Sequence, residues 1–210
     1  LVGYSLHRYQ HWGVGHSIPS FFQKDFPPET WFQPRLFEAF ATATISIMDN
    51  AYKIPGQTCI GHIHLKVADL ARAMDFYCGL LGFEFMQRYG DQAAFLSAGG
   101  YHHHIGLNTW YSKNGAPAPL HSAGLFHTAI LYPTRKDLAT IYKRLNGAAY
   151  PLTGASDHGV SEALYLNDPD ENGVELYWDK PRHQWPLLPD GSLQMFTKSL
   201  QLDCLLRELD

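Results

Sequence analysis

Cysteine, charge and long apolar runs are all in short supply in this chain, and each shortage removes a class of protein. Cys59, Cys78 and Cys204 are few, far apart and contain no C-x-x-C pair, so neither a disulfide framework nor a thiolate zinc knot is indicated. A reducing compartment follows, with the cytoplasm as the expected location. The longest uncharged apolar stretch near the N-terminus, Ala39–Met48, spans about half of what a membrane helix requires, and no signal-peptide pattern precedes it. No membrane partner is therefore expected. The 16 Lys and Arg residues, set against 20 Asp and Glu, never cluster, which removes the electrostatic footprint of a nucleic-acid-binding protein. No Asp or Glu occurs from Gln92 to Lys136.

What the chain does have is apolar material. Hydrophobic residues make up 45% of its 210 residues, enough to offset the entropy of folding and to support one compact unit that takes a small-molecule partner. The strongest pattern is an internal repeat: the segment beginning at His62 matches the one beginning at His127, a shift of 65 residues. Asp69 and Thr134 fall in register, and both are good N-caps because their side-chain oxygens can accept from the free amides of a helix's first turn. Leu70, Ala73, Phe76, Tyr77 and Leu80 then follow helical spacing, as do Leu138, Ile141, Tyr142 and Leu145. Gly82 and Gly147 follow as αL caps.

Each helix is followed by three short strand-like runs. In the first copy these are Phe83–Tyr89, Ala93–Ser97 and His103–Thr109. In the second they are Ala149–Leu152, Glu162–Asn167 and Val174–Trp178, separated by turns at Gly154–Gly159 and Asp168–Gly173. The expected fold class is α+β: two tandem βαβββ modules forming a shared cupped sheet around a metal site. The expected divisions are an N-terminal extension at 1–59, a first module at 60–110, a linker at 111–122, a second module at 123–178, and a C-terminal strap and helix at 179–210. The extension, rich in aromatics, prolines and histidines, contains a possible helix over Pro34–Met48 and reads as packing, a lid or a dimer arm. In the C-terminal part, Asp179–Asp190 should run extended and Leu193–Leu209 should form an amphipathic helix. Its leucines either cover a module or pair subunits, and a homo-oligomer is expected.

Strand alternation sends His62 and His64 to one face, opposite Ile63, Leu65 and Val67. His127 lies between Phe126 and Thr128, and Glu175 between Val174 and Leu176, so each interrupts an apolar period. Two imidazoles and a carboxylate from three strands can occupy one face of an octahedron and leave the other positions open, which suits Fe(II) or Mn(II). A closed structural zinc site would want a fourth protein ligand. His102, His103 and His104 admit three readings: metal ligand, acid/base group, or a polar strand end. Alternation places His102 and His104 opposite His103. His64, which shares the face of His62, and His104 are candidates for contact with substrate.

The run G-H-I-H-L-K-V-A-D-L from Gly61, with Phe76-Tyr77 and Leu81-Gly82-Phe83 downstream, resembles the vicinal oxygen chelate superfamily over Ile60–Trp178. Within it, His158-Gly159 followed by Y-L-N-D-P-D-E-N-G-V-E-L-Y from Tyr165 looks like the signature of small extradiol catechol dioxygenases. The resemblance implies metal ligands at His62, His127 and Glu175. It also implies an acid/base histidine at His103, through the match of H-H-I-G-L, and catecholate contacts at His158 and Tyr165. The activity implied is cleavage of an aromatic diol by O2 at a non-haem Fe(II), with Mn(II) as the other metal. Larger relatives carry a further pair of modules, and residues 1–59 show no second repeat pair.

Two other functions share this architecture. A glyoxalase-type isomerase or lyase also chelates vicinal oxygens but generally wants a fourth ligand and a carboxylate base, which the acid-free stretch from Gln92 to Lys136 does not supply. A drug-sequestering module of the bleomycin-resistance kind has no need of the metal triad.

Overall fold

A computed structural model describes residues 52–210. The N-terminal helix expected over Pro34–Met48 lies outside the described residues, as does most of the N-terminal extension. Cys59–Asp210 forms one compact unit. It holds the whole repeat, whose strands and core close among themselves.

The first module runs β1 (Ile63–Lys66), α1 (Leu70–Met74, continued by a π-helical turn over Asp75–Leu80), β2 (Glu84–Tyr89), β3 (Ala93–Ser97) and β4 (Ile105–Asn108). The second runs β5 (Thr128–Leu131), α2 (Arg135–Gly147), β6 (Gly154–Asp157), β7 (Ser161–Asn167) and β8 (Gly173–Asp179). Their sheets have the same order, β1-β4-β3-β2 and β5-β8-β7-β6, the second extended by β9 (Lys198–Ser199). In each the first strand pairs parallel with the last, Ile63 beside Ile105 and Thr128 beside Val174. The parallel pairing follows from the helical crossover that separates first strand from second.

Both helices start where their caps predict. The Asp69 carboxylate accepts from Arg72 N–H at 3.0 Å. Thr134 and Asp137 form a reciprocal capping box, each side chain accepting from the other's backbone N–H at 3.1 Å. The C-terminal signals are less uniform. Gly82 has φ +89°, as an αL cap should, but Gly147 is still helical and it is Ala149, at φ +52°, that makes the left-handed turn. That turn corrects the strand expected at Ala149–Leu152. The chain leaves α2 there, and β6 forms over Gly154–Asp157, where a turn was expected. Its low-propensity sequence becomes a strand because β7 pairs with it on one side and β9 on the other. The C-terminal helix is also shorter than expected: Leu202–Leu206 (α3) and a 3₁₀ turn at Arg207–Leu209, because the residues before it are drawn into strand pairing with β6.

One apolar core joins the two modules, from Leu65, Val67, Phe76 and Leu107 of the first to Leu138, Leu145, Leu164 and Leu176 of the second. Polar clamps reinforce it. Arg144 of α2 donates to the carbonyls of Leu80 and Gly79 at the end of α1, at 2.7 and 2.5 Å. The β7–β8 turn reaches back to the first module with two buried carboxylates. Asp168 accepts from the Tyr77 hydroxyl at 3.0 Å, and Asp170 accepts from Ala68 N–H at 3.0 Å and from Arg72 at 2.6 Å.

Candidate active site

On the second sheet, β7 and β8 place Tyr165 directly opposite Glu175, so both side chains stand on one face. The Tyr165 hydroxyl donates to Glu175 Oε1 at 3.0 Å, and the other carboxylate oxygen meets His127 Nε2 at 2.9 Å. His158, on the β6–β7 turn, brings its Nε2 to 2.7 Å from the Tyr165 hydroxyl. Four side chains from four segments thus form one row: His158, Tyr165, Glu175, His127. Burial, then the hydrogen bond to the Glu175 carboxylate and its charge, push the Tyr165 phenol up to about 12, so it stays a neutral donor at physiological pH.

Glycine permits this closeness. A Cβ on Gly173 would overlap the Phe126 carbonyl oxygen and come within 3.0 Å of His127 Cβ. Without a side chain at Gly173, the start of β5 can lie against β8 and carry His127 to Glu175.

The first sheet assembles a second group. His62 and His64 are exposed, opposite buried Leu65 and Val67, as alternation requires. The His62 ring lies 4.4 Å from that of His103, and His64 is flanked by Trp110 at 5.4 Å and Phe95 at 6.0 Å. Gly106, opposite His64 on β4, makes room for that ring, since a Cβ there would come within 2.9 Å of it. Burial, followed by the charge of His62, lowers the pKa of His64; burial and the charges of His62, His102, His64 and His104 lower that of His103. His103 is therefore further towards the neutral base at pH 7 than an isolated imidazole. His102 and His103 meet through their Nδ1 atoms at 2.8 Å, so one ring must donate and the other accept. His104 is turned elsewhere: its Nδ1 accepts from Ala98 N–H at 3.3 Å and lies 3.1 Å from the Ser97 hydroxyl. It secures the strand end, whereas the His103 ring sits tilted beside that of His62.

The three residues expected to hold a metal are thus brought together only in part. His127 and Glu175 are adjacent, and among the described residues no group of three or more His, Cys, Asp or Glu side chains converges at metal-holding distance. The adjacent pair itself suits a cation. Neighbouring donors about 2.1 Å from an octahedral ion lie about 3.0 Å apart, close to the 2.9 Å observed. His127 Nδ1 is buried with no hydrogen-bond partner among the described residues, which leaves this polar pair incompletely satisfied. Phe95 and Trp110 are not legible in the sequence as site residues, because their apolar type gives no sign that they flank a histidine. Glycines within strands 4 and 8 were the available clue to Gly106 and Gly173.

The two βαβββ modules set histidines at their first strands, His62 and His64 at β1 and His127 just before β5. The family model described as the Glyoxalase/Bleomycin resistance protein/Dioxygenase superfamily matches residues 59–176, and the chain belongs to that superfamily. It is 37% identical over 138 residues to the catechol-2,3-dioxygenase of Bacillus subtilis (strain 168), covering 61% of this chain and 48% of that protein. It is 31% identical over 123 residues to biphenyl-2,3-diol 1,2-dioxygenase 2 of Rhodococcus globerulus, covering 56% of this chain and 61% of that one. The chain thus spans about half to three-fifths of the length of these relatives. Among solved structures, a glyoxalase/dioxygenase from Nostoc punctiforme superposes with a TM-score of 0.52 at 16% identity, over 63% of this chain and 99% of that one. A domain from Frankia sp. EAN1pec superposes with a TM-score of 0.50 at 22% identity, over 60% and 100%. At these identities the superpositions establish the fold. No helix among the described residues is long and apolar enough to cross a membrane.

Proposed function

We infer that this protein is an extradiol dioxygenase, which uses O2 to cleave the ring of a catechol-type substrate beside its two hydroxyls. The observation that carries the reading is the continuous row from His158 through Tyr165 and Glu175 to His127. His62, His127 and Glu175 are the residues that would hold Fe(II), with Mn(II) as the alternative. The bound metal would supply adjacent open positions for the two diol oxygens and for O2, together with the redox chemistry.

The chain's own residues then divide the remaining work. The Glu175 carboxylate is oriented by Tyr165, which keeps its proton and so holds that oxygen in place. His158 and Tyr165 line the carboxylate on the side where a diol oxygen would lie. Phe95, His64 and Trp110 offer an aromatic wall on the first module, suited to the face of a planar ring. His103, nearer neutral than a free imidazole, can accept a proton from the diol and return it to an oxygen of the opening ring. The same assignments disfavour a glyoxalase-type isomerase, because the last strand of the first module offers no carboxylate base.

The test is anaerobic loading of the purified chain with Fe(II), followed by a panel of catechols and air. The expected result is a yellow ring-opened product. Absence of turnover across the panel with iron bound would overturn the assignment and favour a binding module.

A further inference from the structure

The row of polar groups does not end at His158. On the far side of that ring, Nδ1 faces the C-terminal strap, where the Thr197 hydroxyl and the Phe196 carbonyl oxygen each lie 3.2 Å away. Both residues lie beyond the stretch matched to the family, 59–176. The contact is supported on several sides. Phe196 N–H donates to the His158 carbonyl at 3.2 Å, and Leu200 N–H donates to Ala155 O at the same distance. β9 pairs with β6 through Lys198 and Ser199, and the Lys198 ammonium lies 4.5 Å from the centre of the Phe196 ring. Gly159 gives that ring its place: at φ +81°, a Cβ would come within 2.7 Å of the Phe196 ring and 2.9 Å of Pro186.

The tautomer of the imidazole and the direction of the hydrogens along the row are linked. An ionised Glu175 only accepts, so the single Tyr165 proton goes to Oε1 and the phenol oxygen is left to accept from His158. Nε2 must then carry a hydrogen. In the neutral ring Nδ1 is bare, and only the Thr197 hydroxyl, not the Phe196 carbonyl, can donate to it. The competing arrangement puts the hydrogen on Nδ1, donating to Phe196 O. Tyr165 then turns its proton to Nε2, and Glu175 loses a donor.

We propose that Thr197 is a positioning residue whose hydroxyl holds His158 in the Nε2–H tautomer. It thereby orients the row from Thr197 through His158 and Tyr165 to Glu175 in one direction. The Phe196 carbonyl accepts from Nδ1 when the ring takes up a second proton, so Nε2–H stays on Tyr165 in both forms. The tautomer is independent of the activity. Its consequence, that the strap decides which way hydrogens point beside a bound diol, rests on the dioxygenase reading.

Long-range proton–nitrogen NMR correlations of the imidazoles in the nitrogen-labelled full chain, above the histidine titration range, read the tautomer directly, and His158→Gln assigns the signals. The expected result is a hydrogen on Nε2 of His158 in the wild type. Thr197→Val should shift the tautomer ratio by about fivefold towards Nδ1–H, the factor that one ordinary hydrogen bond supplies, and Thr197→Ser should restore it. Gly159→Ala, which lifts the strap, should move the ratio in the same direction. A wild-type ring protonated on Nδ1, or a ratio unchanged in Thr197→Val, overturns the proposal. In the iron-loaded enzyme, Thr197→Val should lower kcat more than it alters KM. A chain inactive towards every catechol refutes the dioxygenase reading, while the NMR result still decides the tautomer.

Discussion

Asp168 is 2% exposed, and removing its carboxylate should cost more than any surface change in the molecule. Its Oδ1 accepts from the backbone N–H groups of Asp170 and Asn172 at 2.8 and 2.9 Å, and its Oδ2 accepts from Asn172 Nδ2 at 2.9 Å and from the Tyr77 hydroxyl at 3.0 Å. Burial first, and then the charge and hydrogen bond of Asp168, push the Tyr77 phenol far above its ordinary value, so Tyr77 remains a donor throughout the accessible pH range. Tyr77→Phe removes one charge-assisted bond and should destabilise by about 1.5–3 kcal/mol. In thermal unfolding that corresponds to a fall of about 3–12 °C for a chain of this size. Asp168→Ala strands four neutral donors together and should cost about 3 kcal/mol or more, since each buried donor left unpaired costs about 1–3 kcal/mol. If the contact is what couples the modules, the double variant should cost less than the sum of the two singles, with a coupling of about 1–3 kcal/mol. Urea and thermal unfolding of the full chain, followed by near-ultraviolet circular dichroism, measure all three. Additive effects, or a Tyr77→Phe cost below about 0.5 kcal/mol, would show that the clamp joins nothing.

Three further outcomes follow. Gly173→Ala forces a Cβ against the Phe126 carbonyl. It should destabilise by about 1–3 kcal/mol and weaken iron binding at least as much as it weakens the fold, read by unfolding and by iron content. His103→Ala should keep iron while kcat falls about 10²–10⁴-fold; full activity would move the acid role to another residue. Burial works against a charged Asp157, but hydrogen bonds from Lys180 and Gly159 N–H outweigh it and hold its carboxyl below the usual range. Its folded pKa is thus the lower one, so its stabilisation is present above the unfolded carboxyl pKa of about 3.9 and is lost as pH falls through the folded value. Acid titration of stability should show a smaller loss below about pH 4 for Asp157→Asn than for the wild type.

The parts of this architecture legible in sequence are those fixed by local period. Asp69 and Thr134 mark helix starts because capping needs only a side chain and an amide three residues on. Tyr165 and Glu175 were linked in the sequence through the family resemblance, and they stand opposite one another in a single hairpin. Relations between distant segments were not legible. Gly154–Asp157 has little strand character of its own and is a strand only through β7 and β9. His103 and His104 are distinguished by their partners, His62 for one and Ala98 for the other, which alternation alone did not identify. The strap's hold on His158 joins residues 38 positions apart, with no motif linking them.

Ferrous iron stoichiometry under anaerobic conditions tests the shared site most directly, measured for the wild type and for His62→Ala, His127→Ala and Glu175→Ala. One iron per chain is expected in the wild type, with loss of tight binding in all three variants and His62→Ala as costly as the others. Full iron occupancy in His62→Ala would contradict a shared site, because the metal would then belong to the second module alone.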